Sequence, residues 1–122
     1  LGKLVARKSC IVICCLDFPY TVGLTTLVEA FALGIPVICS RNPNFEIDID
    51  KEGIGITVEY NDVQGWIDAI RYIADHPEEA RRMGNNARKL AEERFNLEIF
   101  SREIAESLLE ISNISSKNRT FA

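Results

Sequence analysis

Gly23-Leu24-Thr25-Thr26-Leu27-Val28-Glu29-Ala30-Phe31-Ala32-Leu33-Gly34-Ile35-Pro36-Val37-Ile38-Cys39 is the stretch on which the fold turns. A glycine opens it, a nearly all-apolar segment follows, a second glycine closes that segment, and a β-branched run begins at Ile35. Glycine just past the last helical position is a common way to end a helix, so Gly23 to Leu33 predicts a short helix. Ile35 to Cys39 predicts a strand, with Pro36 near its start, where a missing N–H donor is tolerated. Immediately upstream, Cys10 to Leu16 is an uninterrupted apolar run, β-branched at Ile11, Val12 and Ile13 and bounded by Lys8 and Ser9 before it and Asp17 and Pro19 after it. A run apolar at every position predicts a parallel strand buried on both faces. Strand, helix, strand is one crossover unit, and such units are right-handed.

Working outward, Ser40 to Glu52 is polar and broken by proline, with one helical turn expected around Glu46 to Asp50. Gly53 to Tyr60 predicts a third strand nearer a sheet edge, because Ile54, Ile56 and Val58 alternate with Gly55, Thr57 and Glu59. Asn61 or Asp62 can cap a helix whose apolar positions Trp66, Ile67, Ile70, Ile73 and Ala74 keep helical spacing until His76-Pro77 stops it. Pro77 then opens the next helix at its first position. Ala80, Met83, Ala87, Leu90 and Ala91 draw one apolar stripe, and Leu97, Phe100, Ile104, Leu108 and Ile111 draw another along a last helix. The expected fold class is α/β, half of a Rossmann-like doubly wound parallel sheet of about three strands with C-terminal amphipathic helices. Residues 1–112 form that partial domain, and 113–122 a polar tail expected to fray. Leu1 is not a methionine, and Leu1 to Lys8 looks like the last turns of a helix begun elsewhere, so the chain is expected to be a piece of a longer one.

Composition narrows the function classes. A chain of 122 residues, 47% hydrophobic and 26% charged, is in the range of a globular domain with one core. A net charge of -4, with basic residues scattered among acids, argues against nucleic acid or an anionic membrane as partner. No apolar run is long enough to span a bilayer, so no transmembrane segment is expected. The start lacks the pattern of a secretory signal. Cys10, Cys14, Cys15 and Cys39 all lie within or at the end of apolar runs, where a thiol behaves as a small hydrophobe. Reduced, structural cysteines and a cytoplasmic location follow as expectations. No cofactor and no metal are expected, since His, Cys and Asp do not cluster at ligand spacing. His76 reads as a turn residue, Trp66 as a core anchor, Arg41 as a surface arginine, and Glu46, Asp48, Asp50 and Glu52 as a solvated acidic face.

The helix beginning at Gly23 carries the chemistry. It is apolar nearly all round except for Thr25, Thr26 and Glu29, and spacings of three and four put those three on one face. It starts just past the carboxyl end of a parallel strand, which is where open α/β sheets bind ligands. First-turn N–H groups lack intrahelical partners and carry the positive end of the helix dipole, and a glycine lets an anion approach the main chain. Glu29 lies about one turn, roughly 6 Å, beyond Thr25. At that distance its carboxylate can accept hydrogen bonds from a sugar diol such as ribose. The competing explanation is a capping box, in which Thr26 and Glu29 satisfy each other's backbone donors and nothing more. Residue chemistry alone leaves both open.

From Ser9 to about Glu110 the chain resembles the latter half of the nucleotide-binding domain of group 1, or family 4, glycosyltransferases of the GT-B fold. The likeness is carried by residues 23–38 quoted above, by Gly55-Ile56-Thr57-Val58, by His76-Pro77-Glu78, and by Ala91-Glu92-Glu93-Arg94-Phe95. The resemblance implies a retaining transferase that moves a sugar from a nucleotide-sugar donor to a hydroxyl acceptor in glycan or polysaccharide synthesis. It implies a ribose-binding role for Glu29 and donor phosphate contacts from Gly23, Leu24, Thr25 and Thr26. The family places an acid eight residues before that glutamate, on the transferred sugar, and this chain has Thr21 there. Asp17 can replace it only where the loop folds back. The family's phosphate-neutralising lysine and arginine, and its acceptor domain, match nothing in this sequence. By itself, therefore, the chain is expected to be inactive and to need the missing N-terminal domain of a parent chain, or another copy covering the sheet edge. Two other functions are compatible with the same residues: a nucleotide-sugar epimerase, and a non-catalytic binding or assembly module.

Overall fold

The computed structural model describes residues 10–17 and 23–119. The helical turns expected over Leu1 to Lys8, and Thr21, lie outside the described residues. The strands are β1 (Ile11–Ile13), β2 (Val37–Ser40) and β3 (Gly55–Val58), and the helices are α1 (Leu24–Leu33), α2 (Val63–Asp75), α3 (Pro77–Glu93) and α4 (Leu97–Arg119). The described strands form one parallel sheet in the order β1-β2-β3, with Ile11 opposite Val37 and Val37 opposite Gly55. This is the α/β, three-stranded parallel architecture expected.

Burial follows position in that sheet. All four residues of central β2 are buried. Among the described residues β1 pairs only with β2, and there the expectation of a strand buried on both faces fails: Val12 is 46% exposed although Ile13 is 7% exposed. The same edge position corrects the expectation for the thiols. Cys39 in β2 is buried, Cys10 and Cys15 are half-buried, and Cys14 is exposed.

The helices divide between two faces. Leu27, Ala30 and Phe31 of α1 pack with Ile13, Val37 and Cys39 of the sheet and with Ala87, Leu90 and Ala91 of α3. On the other face, Ala69 and Ile73 of α2 pack with Ile38, Val58, Ala80 and Met83. Helix α3 touches both cores because its small residues allow close approach. A Cβ on Gly84 would fall 2.2 Å from the Gly34 carbonyl oxygen, so Gly84 excludes a side chain, while at Gly34 the positive φ of 66° favours glycine. Every residue of the predicted α3 stripe is buried.

Three expectations are corrected. In α2 the buried line runs through Ala69 and Ile73, while Ile67 and Ile70 are 37% and 45% exposed, because residues one position apart sit about 100° round the helix from each other. Residues 41–54 link β2 to β3 through turns, and the helical turn expected around Glu46 to Asp50 forms two residues later, closed by Glu52 N–H on the Asp48 carbonyl at 2.9 Å, with Ile47 and Ile49 buried in the α1-side core. Finally, α4 continues to Arg119 where a polar tail was expected beyond Ile111. Its stripe of Leu97, Phe100, Ile104, Leu108 and Ile111 is 45–78% exposed.

Candidate functional site

The carboxyl ends of the three strands share one rim, and α1 begins on it. Gly23 is the N-cap of α1, with φ 82°, and no side chain caps this end. Two constraints make the glycine necessary. The left-handed backbone disfavours any residue with a Cβ, and a Cβ there would lie 2.7 Å from Cγ2 of Ile13 and 3.5 Å from Sγ of Cys15. The helix tip is thus pressed against the end of β1. The first backbone bond inside α1 runs from Leu27 N–H to the Gly23 carbonyl at 3.0 Å. The N–H groups of Leu24, Thr25 and Thr26 precede it and have no intrahelical acceptor.

This arrangement decides between the two explanations of Thr26 and Glu29. Thr26 lies inside the first turn and is not the N-cap, so no capping box forms. Thr25, Thr26 and Glu29 are all exposed. Among the described residues, Glu29 makes no hydrogen bond or ion pair, so its carboxylate is available at the surface. The structure therefore brings Gly23, Leu24, Thr25, Thr26 and Glu29 together on one helix and its tip.

The rest of the rim is held by polar clasps. Ser40 Oγ accepts from Cys15 N–H at 3.0 Å and donates to the Cys15 carbonyl at 3.1 Å, tying the ends of β1 and β2. Arg41 pairs with Glu59 at 2.5 Å and with Asp50 at 3.5 Å. Asp50 in turn accepts from the backbone N–H of Thr57 at 3.1 Å and from the Thr57 hydroxyl, closing the outer edge of β3. Arg41 and the run Glu46, Asp48, Asp50 and Glu52 are exposed, as read from the sequence. Asp48 takes a bond from Lys51 N–H at 3.1 Å, and Glu52 pairs with Arg94 at 3.4 Å. No group of three or more potential metal ligands occurs among the described residues. His76 stacks on Tyr72 with ring centroids 4.2 Å apart and caps the α2–α3 turn, away from the rim.

Three clefts open along this side. One of about 570 Å³ reaches Leu24 and is lined by Phe45, Ile47, Arg94, Phe95 and Arg102. A second of about 570 Å³ runs past Asp17, Arg41, Asp48, Glu59 and Tyr60. A third of about 270 Å³ lies among Cys14, Asp17, Tyr60, Asn61 and Trp66. Tyr60 was missed from the sequence, and Trp66 was read only as a core anchor. The available signal was Tyr60's place just beyond a parallel strand, at the end of the sheet where open α/β folds generally bind ligands. The Tyr60 hydroxyl is shielded and has no hydrogen-bond partner. Burial first, and then the nearby charge of Asp17, push its pKa above the ordinary phenol value. Burial likewise pushes the Cys39 thiol up to about 12, which keeps it protonated and inert.

In class, the molecule is an open parallel α/β domain with a bare helix tip at the carboxyl rim of its sheet. A family described as glycosyl transferases group 1 matches residues 4–90, and the chain belongs to that family. It is 34% identical over 70 residues to a D-inositol 3-phosphate glycosyltransferase from Saccharomonospora viridis, a match covering 57% of this chain and 16% of that protein. Its fold is similar to sucrose-phosphate synthase from Thermosynechococcus elongatus, with TM-score 0.71 and 25% identity over 84% of this chain and 26% of the other. The chain thus spans a small part of either protein's length. Family membership sets it with the transferases and not with the epimerases. No described helix is long and apolar enough to cross a membrane.

Proposed function

We propose that this chain forms part of the donor site of a retaining glycosyltransferase, with the bare tip of α1 holding the diphosphate of a nucleotide-sugar and Glu29 holding its ribose. The observation that carries this reading is the pairing of an uncapped, glycine-opened helix tip with an exposed, unpartnered carboxylate one turn along. Gly23, Leu24 and Thr25 offer main-chain N–H and hydroxyl groups to the phosphate oxygens, and Thr26 a further hydroxyl. As the bond between sugar and diphosphate breaks, negative charge grows on the leaving phosphate. Oriented N–H dipoles stabilise that charge without having to reorganise, which is the electrostatic form of catalysis. In this reading the sugar passes to a hydroxyl acceptor with its anomeric configuration retained, in cytoplasmic glycan or polysaccharide synthesis. The acceptor and the remaining catalytic groups come from other parts of the protein.

The test uses the full-length enzyme, comparing wild type with Glu29→Ala in a transfer assay and determining the product anomer by NMR. A hydrogen-bonded carboxylate contributes enough that KM for the donor should rise about 10-fold or more. The product should keep the donor's anomeric configuration. An inverted product, or a donor KM unchanged by Glu29→Ala, contradicts the proposal.

A further inference from the structure

We propose that Ser40 is a positioning residue for the donor diphosphate: its side chain fixes the end of β1 on which the α1 tip is seated, and so sets where the first-turn N–H groups of α1 point. This deepens the donor-site reading above and rests on it. Ser40 acts through Cys15 and Gly23 rather than on the ligand.

Main-chain pairing between β1 and β2 runs from Ile11 opposite Val37 to Ile13 opposite Cys39, and there it ends. Cys15 lies two residues beyond that ladder and is held to β2 by a side chain instead. The Ser40 hydroxyl accepts from Cys15 N–H at 3.0 Å and donates to the Cys15 carbonyl at 3.1 Å, taking the place that a neighbouring main chain has inside the strand. The main chain of Ser40 serves the other side of the sheet, in register with Val58 of β3. One residue therefore joins all three strands at the carboxyl rim. Ser40 is 5% exposed, the only buried polar residue among the described residues. A buried hydroxyl with both donor and acceptor engaged holds a single orientation and stiffens what it binds.

Cys15 passes this constraint to the helix. A Cβ on Gly23 would stand 2.7 Å from Cγ2 of Ile13 and 3.5 Å from Sγ of Cys15, so the N-cap of α1 rests on these two side chains. The ladder anchors Ile13, and Ser40 anchors Cys15. The tip has no side-chain cap of its own, so its alignment depends on what lies beneath it. Without the Ser40 hydroxyl, the Cys15 N–H and carbonyl turn to water and the outer support shifts. Gly23 and the N–H groups of Leu24, Thr25 and Thr26 shift with it. Donors act on a developing oxyanion over a narrow range, about 2.7–3.1 Å, and a misplacement of about 1 Å can cost on the order of 100-fold. The other explanation of Ser40 is strand pairing alone, which predicts a loss of stability with no particular loss of binding.

The experiment measures binding of inorganic pyrophosphate, UDP, GDP and ADP to the full-length protein by calorimetry, below the unfolding transition of each variant. Ser40→Ala is compared with wild type and with Ile73→Val, which thins the core on the opposite face of the sheet and controls for a general loss of stability. Ser40→Thr, which keeps the hydroxyl, is paired with Ser40→Val, which has the same bulk without it. For the probes that bind wild type, Ser40→Ala should weaken binding about 10-fold and Ile73→Val less than about twofold. Ser40→Thr should bind about 5-fold more tightly than Ser40→Val. Wild-type affinity in Ser40→Ala, an equal loss in Ile73→Val, or equal binding by the Thr and Val variants overturns the positioning role and leaves the helix-tip site standing. If no probe binds wild type, the donor-site reading itself fails, and this inference with it.

Discussion

Two helices start at the same rim of the sheet and are finished in opposite ways. Helix α2 follows β3 and is closed by Asp62, whose Oδ1 accepts from Gly65 N–H at 2.9 Å. Helix α1 follows β1 and has only Gly23 at its tip, with no side-chain cap. A side-chain cap contributes about 1 kcal/mol, so the sequence forgoes ordinary stabilisation at α1 and takes it at α2. The difference separates a helix end satisfied by its own side chain from one that, in the proposed reading, receives an external anion. Loss of the Asp62 cap should therefore change stability and leave anion binding alone.

The largest effect is expected at Gly23. Gly23→Ala meets both a positive φ of 82° and a Cβ placement 2.7 Å from Ile13 Cγ2. Left-handed backbone strain and overpacking each cost on the order of 1–3 kcal/mol, so chemical denaturation should show a loss of about 2–4 kcal/mol. A loss below that of a surface substitution would break the account of why glycine stands there. Next comes ligand-linked stabilisation. Inorganic pyrophosphate at ten times its Kd should raise wild-type stability by about 1.4 kcal/mol. The gain should be the same in Asp62→Ala, since that variant does not touch the open tip, and thermal shift measures both. Asp62→Ala by itself should cost about 1 kcal/mol by losing a cap, with no change in pyrophosphate affinity. If its affinity falls as well, the two tips are not independent.

The smallest effect concerns α4. Phe100 is 60% exposed, so Phe100→Ala in this chain should change stability by within about 0.5 kcal/mol. Phe31 is fully buried, and its loss should cost about 3–5 kcal/mol. Comparable losses at the two positions, measured by urea unfolding, would show that the α4 stripe is covered.

That contrast also marks how far the sequence could be read. Periodicity located the four helices and three strands of the described residues, and glycine and proline placed most of their ends: Gly34 stops α1, and Pro77 opens α3. What a pattern cannot supply is the neighbour. The stripes of α3 and α4 look alike on paper, yet the first is buried and the second is not, because α3 approaches Gly34 through Gly84 and packs into both cores, whereas α4 packs into neither among the described residues. The apolar run in β1 likewise gave no sign that Val12 is exposed while Ile13 is buried. Within the proposed site, Gly23, Thr25, Thr26 and Glu29 were legible because one helix and its tip carry them. Asp17, Tyr60 and Trp66 were not seen as a group, since three separate elements bring them together and no local spacing records it.

The most direct test of the central claim, that the α1 tip and Glu29 hold the diphosphate and pentose of an activated sugar, is a calorimetric cycle on the full-length protein. It pairs wild type and Glu29→Gln with the cognate nucleoside diphosphate and its 2′,3′-dideoxy analogue. If Glu29 grips the ribose diol, removing either the carboxylate charge or the diol should weaken binding about 10-fold, and removing both should cost little more than one alone. Two independent, additive losses, or an analogue that binds wild type as tightly as the natural diphosphate, would contradict it.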